Sequence, residues 1–564
     1  MSARREGGGG GDRPWWHGAV VYQIYPRSLC LADPAGRRER LHLAPGAPPD
    51  RVRDGAGDLE GIRHHLGHLA ELGVDAVWLS PIFPSPMADF GYDVSDYCDV
   101  SPLFGDLAGF DRFLAEAHDH GIRVILDFVP NHTSDRHPWF LDARSSRTSE
   151  HRDWYIWRDP DPEDPSKPPN NWKRSFGEGP AWTFDERTGQ WYLHLFLPEQ
   201  PDLNWANPAV VEAMEEVLDF WLARGVDGFR IDVAHALGKP DGLPDLPADK
   251  AEMPYSALID EPSTHPILKR LRAHIDRWPQ QPVLVGEVFL IDASKVAPYY
   301  GDGDELHLAF NFVPMFTKWS ARSFRRRIEE IDDFLVPIGA WPTWVLSSHD
   351  RSRHRTRLGG SERRARAAAV LSLAMRGTVF LYAGEELGLE DADVPPDRVV
   401  DPGGRDGCRA PIPWTSEPDH GWALAGSEPW LPWPPSPQTC NAGTEASDPG
   451  SVLALYRRLA ACRRASEALR WGDLERLDAG EDDVLAFARH SRSGRGNETA
   501  VVLVNFAAET TRVGEAELPA APGGWRVAVS SGGEGAANSE GSPFAETLGP
   551  EEAVVLLGAR LTHD

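Results

Sequence analysis

The feature that most constrains the fold of this chain is a repeated alternation of amphipathic helical segments with short apolar segments. Apolar residues follow helical spacing in 110–117, Gly121 ends that helix, and the apolar segment 123–128 comes next. The same order recurs across 210–232. This alternation predicts parallel strands that are joined by right-handed helical crossovers.

Eight apolar segments are predicted as strands, and eight is the number at which parallel strands close into a barrel. The predicted strands lie around 20–25, 75–80, 123–128, 227–232, 282–287, 307–312, 343–348 and 378–382. A doubly wound open sheet is the alternative, but no glycine-rich phosphate-binding loop follows the first segment. We therefore predict an α/β fold with a TIM (β/α)8 barrel.

The sequence between and after these strands predicts two further domains. The crossover after the third strand is long, rich in Pro, Trp, Asp and Asn, and contains a hairpin pattern, which predicts an inserted subdomain. After a last barrel helix near 451–466, alternating apolar residues and Gly-rich turns predict a C-terminal all-β sandwich. The predicted domains are a disordered tail at 1–14, the barrel at 15–130 and 206–466, the inserted subdomain at 131–205 and the sandwich at 467–564.

Composition and charge exclude several classes of function. The net charge of −28 argues against nucleic acid or an anionic membrane as a partner. No apolar run is long enough to span a membrane, and no apolar signal segment follows the charged N-terminus. The five cysteines are odd in number and lack C-x-x-C spacing, as is typical of reduced thiols. The sequence thus predicts a cytoplasmic protein and leaves its oligomeric state open.

Three carboxylates follow apolar segments that are predicted as barrel strands. Asp232 comes two residues after Arg230, Glu287 follows the next strand, and Asp350 follows a later one. The carboxyl ends of barrel strands meet on one face, where barrel enzymes keep their active sites. A single aspartate at a strand end is usually a turn or cap residue. Several together predict the paired carboxylates of glycoside hydrolysis, one ionised and one protonated.

The order of short motifs resembles the α-amylase superfamily (glycoside hydrolase family 13), within it the α-glucosidase and oligo-1,6-glucosidase branch. The resemblance runs from Trp15 into the predicted C-terminal domain. The motifs that carry it are 21–28 (VYQIYPRS), 91–97 (GYDVSDY), 127–132 (DFVPNH), 200–205 (QPDLNW), 228–232 (GFRID), 286–288 (GEV), 349–350 (HD), 382–386 (YAGEE) and 405–409 (RDGCR).

The resemblance implies a role for each member of the predicted site. Asp232 is the expected nucleophile, and Arg230 keeps its carboxylate ionised. Glu287 is the expected general acid and base. The residues expected to bind sugar hydroxyls around them are Asp350, which also stabilises the transition state, His132 and His349. A retaining outcome follows, and Asp127 is expected to orient Arg230 or Tyr92.

A second set of residues, also implied by the resemblance, predicts exo-action. Asp89 and Arg405 match the positions at which the glucosidase branch grips the non-reducing end of the sugar. A pair across the bottom of the pocket would close it around one terminal glucose, whereas a surface salt bridge is the alternative. Tyr92 and Phe176 are the expected platform for stacking against the sugar.

Three positions depart from the family pattern. Ser348 stands where the branch usually carries Asn, and Val233 after the nucleophile favours α-1,6 activity. The acidic loop that relatives use to hold calcium ends in 54–58, but about twenty residues with several arginines interrupt it. Calcium prefers about six or more oxygen ligands. We therefore expect no required cofactor or metal, with calcium as the open alternative.

The sequence accordingly predicts a retaining exo-acting α-glucosidase. Its expected partners are short malto- or isomalto-oligosaccharides, or a disaccharide such as sucrose. The alternative is a transglucosylase on the same scaffold that makes trehalulose, isomaltulose or trehalose. A catalytically inactive relative, similar to the heavy subunits of amino-acid transporters, is a third alternative. It is disfavoured because all three carboxylates are present.

Overall fold

A computed structural model describes residues 13–42, 54–253, 255–422, 428–493, 496–514, 517–533 and 537–558. Most of the predicted N-terminal tail lies outside these residues. Within them, no helix is both long and apolar enough to cross a membrane. All five cysteines are described, and each is a free thiol.

Eight parallel strands form the central sheet, as predicted. In chain order, barrel strands 1 to 8 are Val20–Ile24, Ala76–Leu79, Arg123–Phe128, Gly228–Ile231, Val283–Gly286, Leu308–Ala309, Thr343–Val345 and Thr378–Tyr382. Hydrogen bonds connect them in the order 7, 8, 1, 2, 3, 4, 5, 6. The hydroxyl of Thr343 joins strands 6 and 7, since it donates to the Ala309 carbonyl at 2.8 Å and accepts from the Asn311 N–H at 2.9 Å.

Helices surround the sheet and follow the predicted periodicity. In the helix Leu107–Asp119, the buried residues are Phe110, Phe113, Leu114 and Ala117, and the Asp106 carboxylate caps its first turn. The helices and short 3-10 turns span Pro26–Leu29, Pro34–Arg40, Leu59–His64, Leu66–Leu72, Leu107–Asp119, Pro138–Ala143, Arg152–Trp154, Pro208–Arg224, Ala234–Ala236, Ala248–Ala251, Thr264–Ile275, Ala293–Val296, Ala297–Tyr300, Val313–Phe316, Ala321–Leu335, His354–Arg357, Glu362–Ala374, Pro396–Arg398, Asp406–Arg409, Ala442–Ala446, Val452–Ala465 and Glu467–Trp471.

The long crossover after barrel strand 3 carries its own small sheet, as the hairpin pattern predicts. Its antiparallel strands lie in the order Trp157–Arg158, Gln190–Leu193, Trp182–Asp185. Buried Trp172 and Trp182 share a hydrophobic cluster with Val233, which follows barrel strand 4. The inserted segment therefore packs directly on the loop that carries Asp232.

The C-terminal region is a two-layered all-β unit. Its five-stranded antiparallel sheet has the order Asp473–Leu477, Val484–Ser493, Gly496–Asn505, Ala553–Gly558, Trp525–Ser530. A second sheet pairs Thr511–Arg512 with Thr547–Leu548. Val501 and Leu503 pack against this second layer, whereas Val502 faces the barrel core. Alternation along one strand thus buries both faces, in agreement with the predicted sandwich.

Candidate active site

A pocket opens at the carboxyl ends of the barrel strands, where the sequence predicts the site. Its cavity volume is about 150 Å³, small against the roughly 300–1,000 Å³ of sites for drug-sized ligands. Eight of the ten predicted site residues line it, namely Asp89, Tyr92, His132, Phe176, Asp232, Glu287, Asp350 and Arg405. The other two, Arg230 and His349, lie directly behind them and contact them.

Arg230 is the centre of the candidate catalytic group. Its Nη1 donates to Asp127 Oδ1 at 2.8 Å and to Asp232 Oδ1 at 2.7 Å. Its Nη2 donates to Glu287 Oε2 at 2.5 Å. The guanidinium is buried and lies over the Trp78 ring, 5.1 Å from its centre. One fixed cation therefore holds the two carboxylates of the predicted pair in the same place.

The strand register explains this arrangement. Asp127 pairs with Arg230 across barrel strands 3 and 4, and side chains at paired positions lie on the same face of a sheet. Asp232 follows Arg230 by two residues, which returns it to that face. At the start of strand 4, a Cβ on Gly228 would lie 2.4 Å from the Val283 carbonyl oxygen, so only glycine allows this close approach of strands.

The two candidate catalytic carboxyls interact electrostatically. Burial raises the pKa of Asp232 well above its ordinary range, the charge of Arg230 opposes that rise, and the charge of Glu287 adds to it. Two carboxyls that interact this closely do not ionise independently. Burial outweighs the charge of Arg230, so the pKa of Asp232 rises, against the expectation that Arg230 keeps this carboxylate ionised.

Tyr92 and His349 form a stacked pair beside Arg230. Their rings are 5.4 Å apart and nearly parallel at 6°. The Tyr92 hydroxyl donates to Asp127 Oδ2 at 3.0 Å and accepts from His349 Nε2 at 2.7 Å, while Gln23 Nε2 donates to His349 Nδ1 at 2.6 Å. Burial lowers the pKa of His349 to about 3. His349 is therefore neutral with its proton on Nε2. Asp127 contacts Arg230 and Tyr92, the two residues that it was expected to orient.

Asp350 is held as an anion at the edge of the pocket. Its Oδ1 accepts from Arg405 Nη1 at 3.0 Å and from Arg409 Nη2 at 3.3 Å, and its Oδ2 lies 3.2 Å from His349 Nε2. Burial would raise the pKa of Asp350, but His349, Arg405 and Arg409 hold it well below its ordinary range. An ionised carboxylate in this position can accept hydrogen bonds from sugar hydroxyls.

Asp89 and Arg405 meet across one wall of the pocket. Arg405 Nη2 donates to Asp89 Oδ1 at 2.6 Å, and their side chains are only 11% and 4% exposed. Arg405 also binds both oxygens of Asp401, at 2.7 and 2.9 Å, and lies over the Phe176 ring at 4.7 Å. This is a buried network and not an exposed surface ion pair, so the surface alternative for the pair is wrong.

His132 lies in the same wall as Asp89. Gln200 Nε2 lies 3.2 Å from Asp89 Oδ2 and 3.0 Å from His132 Nε2, so one amide connects the two residues. Burial lowers the pKa of His132 to about 4. The imidazole is therefore neutral at physiological pH and suits hydrogen bonding to a hydroxyl.

Val233 adopts a strained backbone conformation directly after Asp232. Its φ of 45° and ψ of 42° lie in the left-handed region, which β-branched residues rarely adopt. Its N–H donates to Glu287 Oε2 at 3.1 Å, and the Ala234 N–H donates to the Glu287 carbonyl at 2.9 Å. The strained turn thus ties the loop of Asp232 to the loop of Glu287.

Sequence reasoning missed the outer part of the pocket. Phe289 lies 5.3 Å from Phe312, 6.0 Å from Tyr255 and 6.1 Å from Phe316, measured between ring centres. The Arg351 guanidinium covers Phe289 and Phe316 at 5.2 and 4.9 Å. These rings come from three separate loops, so no local sequence pattern could reveal their contact.

Two further ionic contacts support the site and were also missed. Asp401 lies four residues before Arg405, and this spacing could have indicated the pairing. Lys239 Nζ lies among Asp202 Oδ2 at 3.0 Å, Asn131 Oδ1 at 3.0 Å and the Ala236 carbonyl at 2.6 Å. Lys239 therefore joins the inserted segment to the loop after Asp232. Among the described residues, no cluster of three or more His, Cys, Asp or Glu side chains could hold a metal ion.

The comparisons with a family model, with similar proteins and with solved structures agree with one another. Residues 23–472 match the alpha-amylase family, described as the alpha amylase catalytic domain. A probable alpha-glucosidase of Rhizobium meliloti is 41% identical over 532 residues, which cover 88% of this chain and 90% of that protein. An oligo-1,6-glucosidase of Parageobacillus thermoglucosidasius is 35% identical, with 88% and 92% covered. The crystal structure of an alpha-glucosyl transfer enzyme, XgtA, is 37% identical with a TM-score of 0.83, covering 97% of this chain and all of that one.

Proposed function

The chain belongs to the alpha-amylase family, and we propose that it is a retaining, exo-acting α-glucosidase. Its substrates would be short malto- or isomalto-oligosaccharides, with sucrose as a further candidate. The similar proteins that are named as glucosidases support this class of substrate. The proposed site consists of Asp232, Glu287 and Asp350 with the sugar-binding residues Asp89, Tyr92, His132, Phe176, Arg230, His349 and Arg405.

The observation that carries this proposal is the position of Arg230 between Asp232 and Glu287. The two terminal nitrogens of one guanidinium bind one oxygen of each carboxyl. Both carboxyls are thereby fixed at the ends of neighbouring barrel strands, where a nucleophile and an acid can act on the same anomeric carbon. The arrangement therefore supports a covalent, retaining mechanism.

In the proposed mechanism, Asp232 attacks the anomeric carbon while Glu287 donates a proton to the departing oxygen. The glycosidic bond breaks and a glucosyl ester of Asp232 forms. The Glu287 carboxylate then removes a proton from water, and the water attacks the ester and releases Asp232. Two displacements at one carbon retain its configuration. Asp350 stays ionised throughout and binds hydroxyls of the same sugar.

Exo-action is proposed from the opposite end of the pocket. The buried network of Asp89, Arg405 and Asp401 occupies the space into which a longer chain would extend beyond its terminal glucose. The small cavity volume agrees with room for one terminal sugar. Arg405 over the Phe176 ring would complete this closed end.

Two measurements test the proposal together. NMR spectroscopy of early products from maltose, isomaltose, sucrose and trehalose should show α-glucose before mutarotation, and the four rates would establish the linkage preference. Soluble starch should be a poor substrate that releases glucose alone. Early β-glucose would exclude retention, and early release of maltotriose or longer fragments would exclude a closed exo-acting pocket.

Transglucosylation is a second candidate, because the outer pocket is apolar. Phe289, Phe312 and Tyr255 line the side where the leaving group or acceptor would lie. Such a surface favours a sugar or other organic acceptor over water in the second step. Similarity to an alpha-glucosyl transfer enzyme agrees with this possibility. The ratio of transfer products to free glucose at high substrate concentration distinguishes the two functions, and a ratio near zero would exclude transfer.

Two other predictions from the sequence concern the inactive alternative and the location of the protein. The presence of all three carboxylates, two of them bound by Arg230, speaks against the inactive, transporter-like alternative, and any turnover of the four disaccharides would exclude it. A cytoplasmic location stays a prediction.

A further inference from the structure

The loop between barrel strand 1 and the helix Leu59–His64 ends in the acidic segment 54–58, which the family resemblance associates with calcium. In this chain an arginine lies inside that loop. Arg37 Nη1 donates to the carbonyls of Asp54 at 3.2 Å and Ala56 at 2.6 Å. Its Nη2 donates to the Gly57 carbonyl at 3.0 Å and to Asp58 Oδ2 at 3.4 Å. A buried guanidinium thus binds oxygens from four of the five residues of the segment.

The charge of Arg37 is retained although the side chain is buried. Its side chain is 1% exposed and that of Asp58 is fully buried. Burial lowers the pKa of Arg37 to about 10, and Asp58 opposes that fall. The guanidinium therefore stays protonated at neutral pH. A permanent cation in this place supplies the positive charge that the carbonyls and carboxylate of the loop require.

The carboxylates of the loop already accept hydrogen bonds from the protein, so they are poorly placed to act as metal ligands. Asp58 Oδ1 accepts from the N–H groups of Ala32 at 3.2 Å and Gly61 at 2.7 Å, and its Oδ2 accepts from the Asp33 N–H at 2.9 Å. The Asp33 side chain caps the helix Pro34–Arg40 through Gly36 at 2.9 Å. These oxygens already accept hydrogen bonds from the protein, which reduces what they can offer to an ion.

Two neighbouring arginines reinforce this conclusion. Arg40 Nη1 lies 3.0 Å from Asp33 Oδ2, and Arg38 Nη1 lies 3.7 Å from Asp54 Oδ2. Calcium takes roughly 6–8 oxygens at about 2.3–2.6 Å. With an arginine beside each of the three carboxylates, the residues present do not fit calcium.

We propose that the guanidinium of Arg37 is a tethered replacement for the loop cation, which makes the folding and activity of this protein independent of calcium. Arg37 belongs to the helix Pro34–Arg40, which lies within the insertion that interrupts the acidic loop. The insertion then has a definite purpose, because it delivers its own cation into the loop.

The loop held by Arg37 supports the wall of the active-site pocket. The Gly55 carbonyl accepts from the backbone N–H of Trp430 at 3.0 Å. The Trp430 ring packs on Phe90 at 5.3 Å, and the Arg27 guanidinium covers both rings. Phe90 directly follows Asp89 of the closed end. Loss of the tethered cation should therefore disturb the wall of the pocket and also lower the stability of the fold.

The test compares the native protein with Arg37→Ala and Arg40→Ala after thorough removal of metals. Arg40→Ala removes the same charge from the same helix, but its partner pair is partly exposed. Thermal unfolding and kcat/KM are measured in a chelator and in millimolar calcium. The native protein should show the same Tm and kcat/KM in both. Arg37→Ala should lower the apparent Tm by at least about 5 °C, and Arg40→Ala by much less.

Chemical rescue separates a cation role from simple packing. Millimolar guanidinium ion should raise the Tm of Arg37→Ala relative to the same concentration of sodium chloride, and should leave Arg40→Ala unchanged. An increase in native Tm with calcium, or a loss of native activity in chelator, would overturn the proposal. So would an Arg37→Ala variant as stable as Arg40→Ala, or one that guanidinium does not rescue. If Arg37→Ala does not fold, the native comparison alone decides. The Tm readouts do not depend on the substrate, so they test this proposal separately from the proposed function.

Discussion

Replacement of Arg405 by alanine should disable the closed end of the pocket. In the native protein Arg405 forms ion pairs with Asp89, Asp350 and Asp401 at once, with contacts of 2.6 to 3.0 Å. The variant would leave three carboxylates around an emptied space, with Arg409 at 3.3 Å from Asp350 and Asp401 but, among the described residues, no cation bound to Asp89. Two of these carboxylates, Asp89 and Asp401, are almost fully buried. Repulsion and loss of solvation should move Asp89 away from the position that binds sugar.

The size of the effect follows from burial. Removal of one partner from a buried ion pair costs about 3–5 kcal/mol, because the other charge is left uncompensated. The side chains of Arg405 and Asp89 are 11% and 4% exposed, so solvent screens the pair little. If this cost falls on the transition-state complex, kcat/KM decreases by roughly 10²- to 10⁴-fold. Loss of Arg405 also removes a charge that lowers the pKa of Asp350.

The assay is kcat/KM for maltose and for an aryl α-glucoside, with Tm measured on the same samples. Arg136→Ala is the matched control, because its side chain is 69% exposed and its ion pair contributes at most about 1 kcal/mol. Arg405→Lys should recover part of the activity, since it restores the positive charge but not the planar guanidinium that binds several carboxylates at once. A change of less than tenfold in Arg405→Ala, or a loss that follows Tm alone, would refute the reasoning.

Three further predictions concern the carboxylates. Asp232→Asn should lower kcat by several orders of magnitude with Tm preserved, because no ester can form, and more than a few per cent of native activity would exclude the nucleophile role. Glu287→Gln should slow maltose far more than a nitrophenyl glucoside, whose leaving group needs little protonation, and equal losses would indicate a structural role. Burial raises the pKa of Glu385 to about 8, so its contribution to stability is complete below an unfolded pKa near 4.5 and is lost as pH rises through 8. Between pH 6 and 9, the Tm of Glu385→Gln should therefore decrease less than the Tm of the native protein. An identical decrease of Tm with pH in both proteins would contradict this assignment.

The strands and the residues at their ends could be predicted because both depend on local pattern. Each barrel strand is a short apolar run, and the period of two residues places Arg230 and Asp232 on one face. The parallel register then brings Asp127 beside Arg230 without any further information. Burial on both sides of the sheet makes this register unambiguous.

The remainder of the site depends on how separate loops meet, which local pattern does not specify. Phe289 and Tyr255 approach each other from loops after different strands, so their aromatic surface was not foreseen. The sequence indicated that arginines before residue 54 disfavour calcium. It did not indicate that Arg37 would enter the loop itself. The left-handed conformation of Val233 is set by its contact with Glu287 and opposes its own propensity.

The central claim, a covalent glucosyl intermediate on Asp232, can be tested most directly in the Glu287→Gln variant. An aryl α-glucoside should still react there, because its leaving group needs no acid, while the ester should persist because the base that activates water is missing. Peptide mass spectrometry of the rapidly quenched mixture should find one added glucosyl unit on the peptide that contains Asp232, and the addition should disappear when Asp232 is also replaced. Release of the aryl group without any adduct, or an adduct on another residue, would contradict the claim.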